Sequence, residues 1–242
     1  MHFERHAELY ERARPPYPDA LWRRLTELGI LTAGARALDL GAGTGQATGP
    51  LLRAGLRVTA VEPGAELARR LRSRFPAAVV IESTAEDAFT PADTFDLVVA
   101  ATSVHWFDLD RVLPKVRRAL VGGGRFVVWR TAYGDSSVPV TPFRQRVAEI
   151  VSLRTAPARP GPDESDTEAW ARLLGAGGYF EVEHLEEHRW QIDLDARQIG
   201  DLFTTFSDWS RAEAETAADA VRELGGRVTE YYVTPLIVLR RQ

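Results

Sequence analysis

Gly41, Gly43 and Gly45 stand at alternate positions between an apolar run, Ala37–Leu40, and a stretch with helical spacing. A strand that turns tightly into a helix through such glycines lets its backbone approach a ligand that side chains would keep away. Gly41, Ala42, Gly43, Thr44 and Gly45 are therefore candidate cofactor contacts. Two carboxylates accompany the loop. Asp39 lies inside the apolar run, where burial is costly unless an ammonium group or loop amides pair with it. Glu62 closes the next β-branched run, about 20 residues beyond Gly41, where a carboxylate can accept hydrogen bonds from both hydroxyls of a ribose. The chemistry on offer is the holding of a nucleoside-bearing cofactor. The alternatives are a glycine turn with a structural role only and a carboxylate satisfied by local backbone.

The spacing G-x-G-x-G bears on the cofactor class. A dinucleotide fingerprint needs its third glycine at position 46, where this chain has Gln46, so nicotinamide binding is the second reading. A further polar loop, Ser83-Thr84-Ala85-Glu86-Asp87, follows the third apolar run at the carboxyl edge, where open α/β sheets bind ligands. A merely solvated loop is the alternative for Glu86 and Asp87.

These residues need strands and helices to position them. Short apolar runs at Arg36–Leu40, Arg57–Glu62, Ala78–Glu82, Phe95–Ala100 and Arg125–Arg130, β-branched in all but the first, predict strands. Gln46–Arg53, Gly64–Phe75 and Leu109–Leu120 repeat apolar residues at helical spacing between them, and Gly122–Gly124 is expected to end the last helix. The alternation predicts a doubly wound α/β sheet. Beyond Arg130 a helix is expected over Pro139–Arg154, then a polar connector at 158–165, in a region suited to a lid. Val182–Ile192 alternates as a strand, Ala196–Phe206 and Arg211–Leu224 have helical spacing, and Glu230–Arg240 reads as a final strand.

The 242 residues, 45% hydrophobic and 26% charged, suffice for one globular domain. A net charge of −4 argues against nucleic acid or an anionic membrane as partner and favours a small or protein substrate. No apolar window is long enough for a membrane span and the charged start is unlike a signal peptide, so a cytoplasmic protein is expected. The chain has no cysteine, which removes disulfides, thiolate metal sites and cysteine nucleophiles. Lys115 is the sole lysine and lies in neither a Walker loop nor a Schiff-base setting. His184 and His188 could share a strand face, but without a third ligand nearby no metal is expected.

In order and spacing, LDLGAGTGQAT, VTAVEP, ESTAED, FDLVVAATSVHWFD and RALVGGGRFVV resemble the successive motifs of class I S-adenosylmethionine (SAM)-dependent methyltransferases. The resemblance covers residues 5 to 130 closely. It implies a Rossmann-like seven-strand sheet with an antiparallel last strand, helical lid elements over its carboxyl edge, and SAM as cofactor, with S-adenosylhomocysteine (SAH) as product. By the same resemblance Asp39 and the Gly41–Gly45 loop face the methionine part of SAM, Glu62 its ribose, and Pro63, Ala85 and Glu86 its adenine. Thr84, Ala101 and Ser103 join these cofactor contacts. AELYERARPPYP and SVHWFD are most similar to the small-molecule branch that includes trans-aconitate methyltransferase. There the amino-terminal segment closes over the cofactor, which places Tyr10, Arg14 and Tyr17 near the pocket. Beyond Arg130 the sequence departs too far to carry over a substrate.

A sulfonium methyl is already electrophilic, so such an enzyme mainly aligns a nucleophile and excludes water. His105, just beyond the fourth strand, is the candidate base for an acceptor that carries a proton. A carboxylate acceptor needs no base, and His105 or Arg14 would then bind it. Trp106 and Phe107 could wall a cationic centre, and Trp129 and Arg130 could line the substrate site. Packing is the competing explanation for His105 and Phe107, and packing or a surface ion pair for Trp129 and Arg130. The expected partner is a small molecule, with the chain a monomer or homodimer; a non-catalytic SAM-binding protein is the third reading.

Overall fold

The structure is a computed structural model that describes residues 7–154, 162–163 and 166–242. Of the polar connector expected at 158–165, all but Pro162 and Asp163 lies outside the described residues. In chain order the elements are helices α1 (Ala7–Ala13) and α2 (Asp19–Glu27), β1 (Arg36–Leu40), α3 (Thr48–Arg53), β2 (Arg57–Val61), α4 (Ala65–Arg74), β3 (Val79–Ile81) and β4 (Phe95–Ala101). A 3-10 turn (Val104–Trp106), α5 (Leu109–Ala119), β5 (Leu120–Trp129), α6 (Pro142–Ser152) and α7 (Thr167–Gly175) follow. The chain ends with β6 (Phe180–Asp195), α8 (Ala196–Thr204), α9 (Arg211–Glu223) and β7 (Arg227–Arg241).

The seven strands form one sheet in the order β3-β2-β1-β4-β5-β7-β6. β1 pairs in parallel with both β2 and β4, β4 with β5, and β7 runs antiparallel to β5. This is the expected Rossmann-like arrangement with its last strand reversed. β1 lies where the strand order turns back, so the crevice beyond the carboxyl ends of β1 and β4 is the ligand position of such sheets. The central strands read as unbroken apolar runs because both sheet faces are covered. Val98, Phe126, Val128 and Leu239 face a cluster with Val112, Val116, Trp170 and Leu174. Leu97, Val99, Val127 and Trp129 face the opposite one with Leu21, Leu25 and Leu51.

Two differences from the sequence reading have local causes. Gly122–Gly124 do not end a helix. The helix stops at Ala119, β5 begins at Leu120, and the pairing jumps from Phe95↔Leu120 to Leu97↔Arg125. The glycines therefore take up a bulge inside the strand, with Gly123 at φ 76°. Helices α1, α2 and α7 are additions to the helices named from the sequence. α7 has only nine residues, yet Asp166 caps it by accepting from the Ala169 N–H, and it buries Trp170, Ala171 and Leu174 on one face.

The chain divides into two compact units. The sheet unit takes Tyr17–Ala132, the described residues from Pro162 to His188, and Thr234–Gln242. The other takes the described residues up to Pro16, from Tyr133 to Arg154, and from Arg189 to Val233. One boundary between the units falls between Ala132 and Tyr133, in the region beyond Arg130 read above as suited to a lid. The second unit has its own core of Phe143, Leu194, Ile199, Phe203, Ala217, Val221 and Tyr232. Capping boxes, Asp195 with Gln198 and Ser210 with Glu213, start its helices α8 and α9. Among the described residues no helix is long and apolar enough to cross a membrane.

Candidate cofactor and active site

The glycines of the loop after β1 have unequal duties. A Cβ on Gly45, whose φ is 91°, would lie 2.4 Å from the Phe75 ring and 2.6 Å from Leu71, so packing against α4 requires its absence. A Cβ on Gly41 would meet that of Ser103 at 2.6 Å. Gly43, at φ 57°, has nothing within 4 Å in that direction. It offers backbone to open space, which is what an approaching ligand needs. Its N–H donates to Glu62 Oε2 at 2.8 Å, and the Gly64 N–H donates to Oε1 at 2.9 Å. Glu62, buried to 5% exposure, thus clamps the loop on one side and the start of α4 on the other.

Asp39 is fully buried in β1. Thr48 donates its hydroxyl to Oδ2 at 2.6 Å, while Oδ1 is buried without a hydrogen-bond partner among the described residues. Thr44, 2% exposed, also has a buried hydroxyl without a partner there. Burial pushes the Asp39 carboxyl up to about 6, against the hydrogen bond from Thr48 and with a further push from nearby Glu62. An unmet buried acceptor in the strand that leads into an open glycine fits a cofactor that brings a donor, such as an ammonium group.

The sign of the resulting pH dependence follows from the raised value. Between the ordinary 3.8 and about 6 the folded chain holds a proton that the unfolded chain has released, so this group's contribution to stability falls as pH rises through that window. Above it, charged Asp39 costs on the order of 2–3 kcal/mol. Asp39→Asn is expected to raise the melting temperature of the ligand-free protein near neutral pH, with the gain shrinking toward about pH 4. Melting curves across that range check it, and a pH-independent difference would contradict it.

The neighbouring loops are tied to one another. Ser103, buried at the end of β4, donates its hydroxyl to the Leu40 carbonyl at 2.6 Å. Glu86 accepts the Asp108 N–H at 2.9 Å, Arg111 pairs with Asp87 at 2.9 Å, and Lys115 donates to the Glu86 carbonyl. The Thr84 hydroxyl accepts the Asp87 N–H at 3.2 Å. Ala85 is buried in the core beside these contacts, while Pro63 and Ala101, at the ends of β2 and β4, are partly exposed. Glu86 and Asp87 thus fasten the 84–88 loop to the start of α5, a connection the sequence reading did not contain.

His105 is half-buried, with its ring centroid 5.0 Å from that of Trp106, which is 53% exposed. Phe107 packs against the core. Trp129 is 1% exposed and makes edge contacts with Tyr17 and Trp22, and its indole N–H is buried without a partner among the described residues. Arg130 is buried with its guanidinium 5.6 Å from the Trp170 ring. His184 shares Glu186 with Arg24, at 2.8 and 2.7 Å. The sheet unit thus brings together Asp39, the glycine loop, Glu62, Ser103 and Tyr17. Tyr10 and Arg14 belong to the other unit, where Arg14 donates to Thr205 and to the Tyr133 hydroxyl at 2.8 Å each and lies over the rings of Tyr10, Tyr133 and Phe206. Sequence reasoning missed Thr48 and Thr102. A hydroxyl nine residues past Asp39 could have signalled the first; nothing signalled the left-handed backbone of the second.

Residues 38–128 match the family model of the methyltransferase domain, a span that opens inside β1 and closes inside β5. This core is therefore similar to methyltransferase domains. Over 123 residues the chain is 42% identical to an uncharacterized methyltransferase of Mycobacterium tuberculosis, covering 50% of this chain and 49% of that one. The chain thus spans about half the length of the curated relatives it matches first. Among solved structures it is similar to one described as a type II methyltransferase from Anaeromyxobacter dehalogenans, with TM-score 0.62, 24% identity and coverage of 95% and 97% of the two chains. It is also similar to a geranyl diphosphate C-methyltransferase from Streptomyces coelicolor that holds Mg2+, geranyl diphosphate and SAH, with TM-score 0.52, 16% identity and coverage of 93% and 79%. At these identities the structural likenesses speak to the fold alone.

Proposed function

We propose that the protein transfers a methyl group from SAM to a small-molecule acceptor. The observation that carries this reading is the open side of Gly43 in a loop whose other two glycines are closed in by packing, with an unmet Asp39 oxygen in the strand that leads into it. Asp39 and the loop amides would hold the methionine part, Glu62 the ribose, and Pro63, Thr84, Ala85 and Glu86 the adenine, with Ala101 and Ser103 completing the wall. SAM, when bound, supplies a methyl group on a sulfonium centre. The chain's own work is then to orient the acceptor and keep water away. The exposed Trp106 offers an aromatic face for the acceptor or the cationic centre.

His105 would take a proton from an acceptor that carries one, or bind an acceptor carboxylate that needs no base. His105→Ala is expected to lower turnover by about a hundredfold while SAH affinity stays within about twofold. A loss of thermal stability with turnover intact would assign His105 to packing instead. The acceptor class is tested by incubating the protein with methyl-labelled SAM and fractionated extract. Label in the low-molecular-weight fraction supports the reading. Label only in protein or nucleic acid would overturn the small-molecule part, and SAH binding without any labelled product would favour a non-catalytic SAM-binding protein.

A further inference from the structure

Thr102 follows β4 with φ 56°, a left-handed backbone that a β-branched residue enters only under strain. Glycine would take this turn at no steric cost, yet threonine stands there. Strain of this kind persists where the surroundings over-determine it. Two contacts do so here. The Thr102 N–H donates to the Trp129 carbonyl at 2.8 Å, and its hydroxyl lies 2.9 Å from the Tyr17 hydroxyl. Tyr17 is itself fixed by edge contacts with Trp22 and Trp129.

The turn has a consequence one residue on. Ser103 is brought to the Leu40 carbonyl, to which its hydroxyl donates at 2.6 Å, and its Cβ stands 2.6 Å from where a Cβ on Gly41 would be. The chain leaving the turn is therefore wedged against the first residue of the glycine loop. Tyr17, Thr102, Ser103, Leu40 and Gly41 form one unbroken series of contacts, all within the sheet unit.

We propose that Thr102 is a positioning residue for the cofactor loop, held in its strained turn by Tyr17 and acting through Ser103. The proposal rests on the reading of that loop as the SAM site. Without the tether the turn is no longer fixed: threonine relaxes toward ordinary backbone and glycine samples this turn among many others, so in both cases Ser103 is no longer held against Leu40 and the loop loses the stop that fixes Gly41. A role in packing alone would instead make affinity follow stability.

The test is calorimetric titration of SAH into the wild type, Tyr17→Phe, Thr102→Gly, Thr102→Ser and the double variant Tyr17→Phe/Thr102→Gly, with a melting curve for each. Tyr17→Phe and Thr102→Gly are each expected to bind SAH about five- to tenfold more weakly, the scale of one hydrogen bond. Thr102→Gly does so with a melting temperature equal to or above the wild type, because glycine accepts the turn. Thr102→Ser keeps the hydroxyl and stays within about twofold of the wild type. The double variant binds no more weakly than the weaker single, since both changes remove one tether. Wild-type affinity in all variants, losses that follow melting temperature, or losses that add in the double variant would overturn the proposal. A wild type that does not bind SAH would overturn the SAM reading instead.

Discussion

Alanine at Gly43 and alanine at Gly45 are expected to harm the protein in opposite ways. At Gly45 the new Cβ would sit 2.4 Å from a carbon of the Phe75 ring and 2.6 Å from Leu71, on a backbone with φ 91°. Leu71 is completely buried, so the clash cannot be relieved by turning it into solvent. Overpacking and backbone strain together should cost about 2–4 kcal/mol of stability. At Gly43 the Cβ meets nothing within 4 Å, and φ is 57°. Its stability cost is confined to the backbone conformation, about 1 kcal/mol. The same Cβ, however, points into the space the cofactor would use, so SAH affinity should fall by about tenfold or more. Denaturant unfolding and calorimetry on both variants separate the effects. If Gly43→Ala binds SAH as the wild type does, the open side of Gly43 is not the cofactor cradle.

Glu62→Ala should produce the largest loss of binding. The carboxylate accepts the Gly43 and Gly64 N–H groups and is nearly buried, so its removal both frees the loop and deletes the group that would receive the ribose hydroxyls. Hydrogen bonds to a charged group are worth about 1.5–3 kcal/mol, which sets the expected weakening of SAM binding. Glu62→Gln is the informative companion. Its amide has one oxygen, which can accept in place of only one carboxylate oxygen, and its NH2 would face an N–H donor at the other. Stability should therefore fall in the order wild type, Gln, Ala, while both variants lose affinity. A folded Glu62→Ala protein with unchanged SAM affinity would remove Glu62 from the ribose role.

The parts of this molecule legible in its sequence are those where one physical demand governs each residue. β1 was read to the residue because apolar side chains must fill both of its faces. The loop and Glu62 were legible because glycine and an acid at those positions have few other reasons to follow buried strands. The bulge at Gly122–Gly124 was not, because three glycines are as suited to ending a helix as to interrupting a strand, and only the pairing of β5 with β4 decides between them. The Thr48 hydroxyl on Asp39 and the Glu86 carboxylate on the Asp108 N–H are long-range partners, invisible to local pattern. Thr102 is the extreme case. A threonine after a strand looks like more strand, and its left-handed turn exists only because tertiary contacts impose it. The acceptor side was least legible, since no repeated pattern encodes the shape that chooses a substrate.

On the proposed function, the loop after β1 holds SAM rather than a dinucleotide. Calorimetric titration of the wild-type protein with SAH and, separately, with NADH tests it most directly. Saturable one-to-one binding of SAH and no heat of binding from NADH are expected. Saturable NADH binding with none for SAH, or no binding of either, would contradict it.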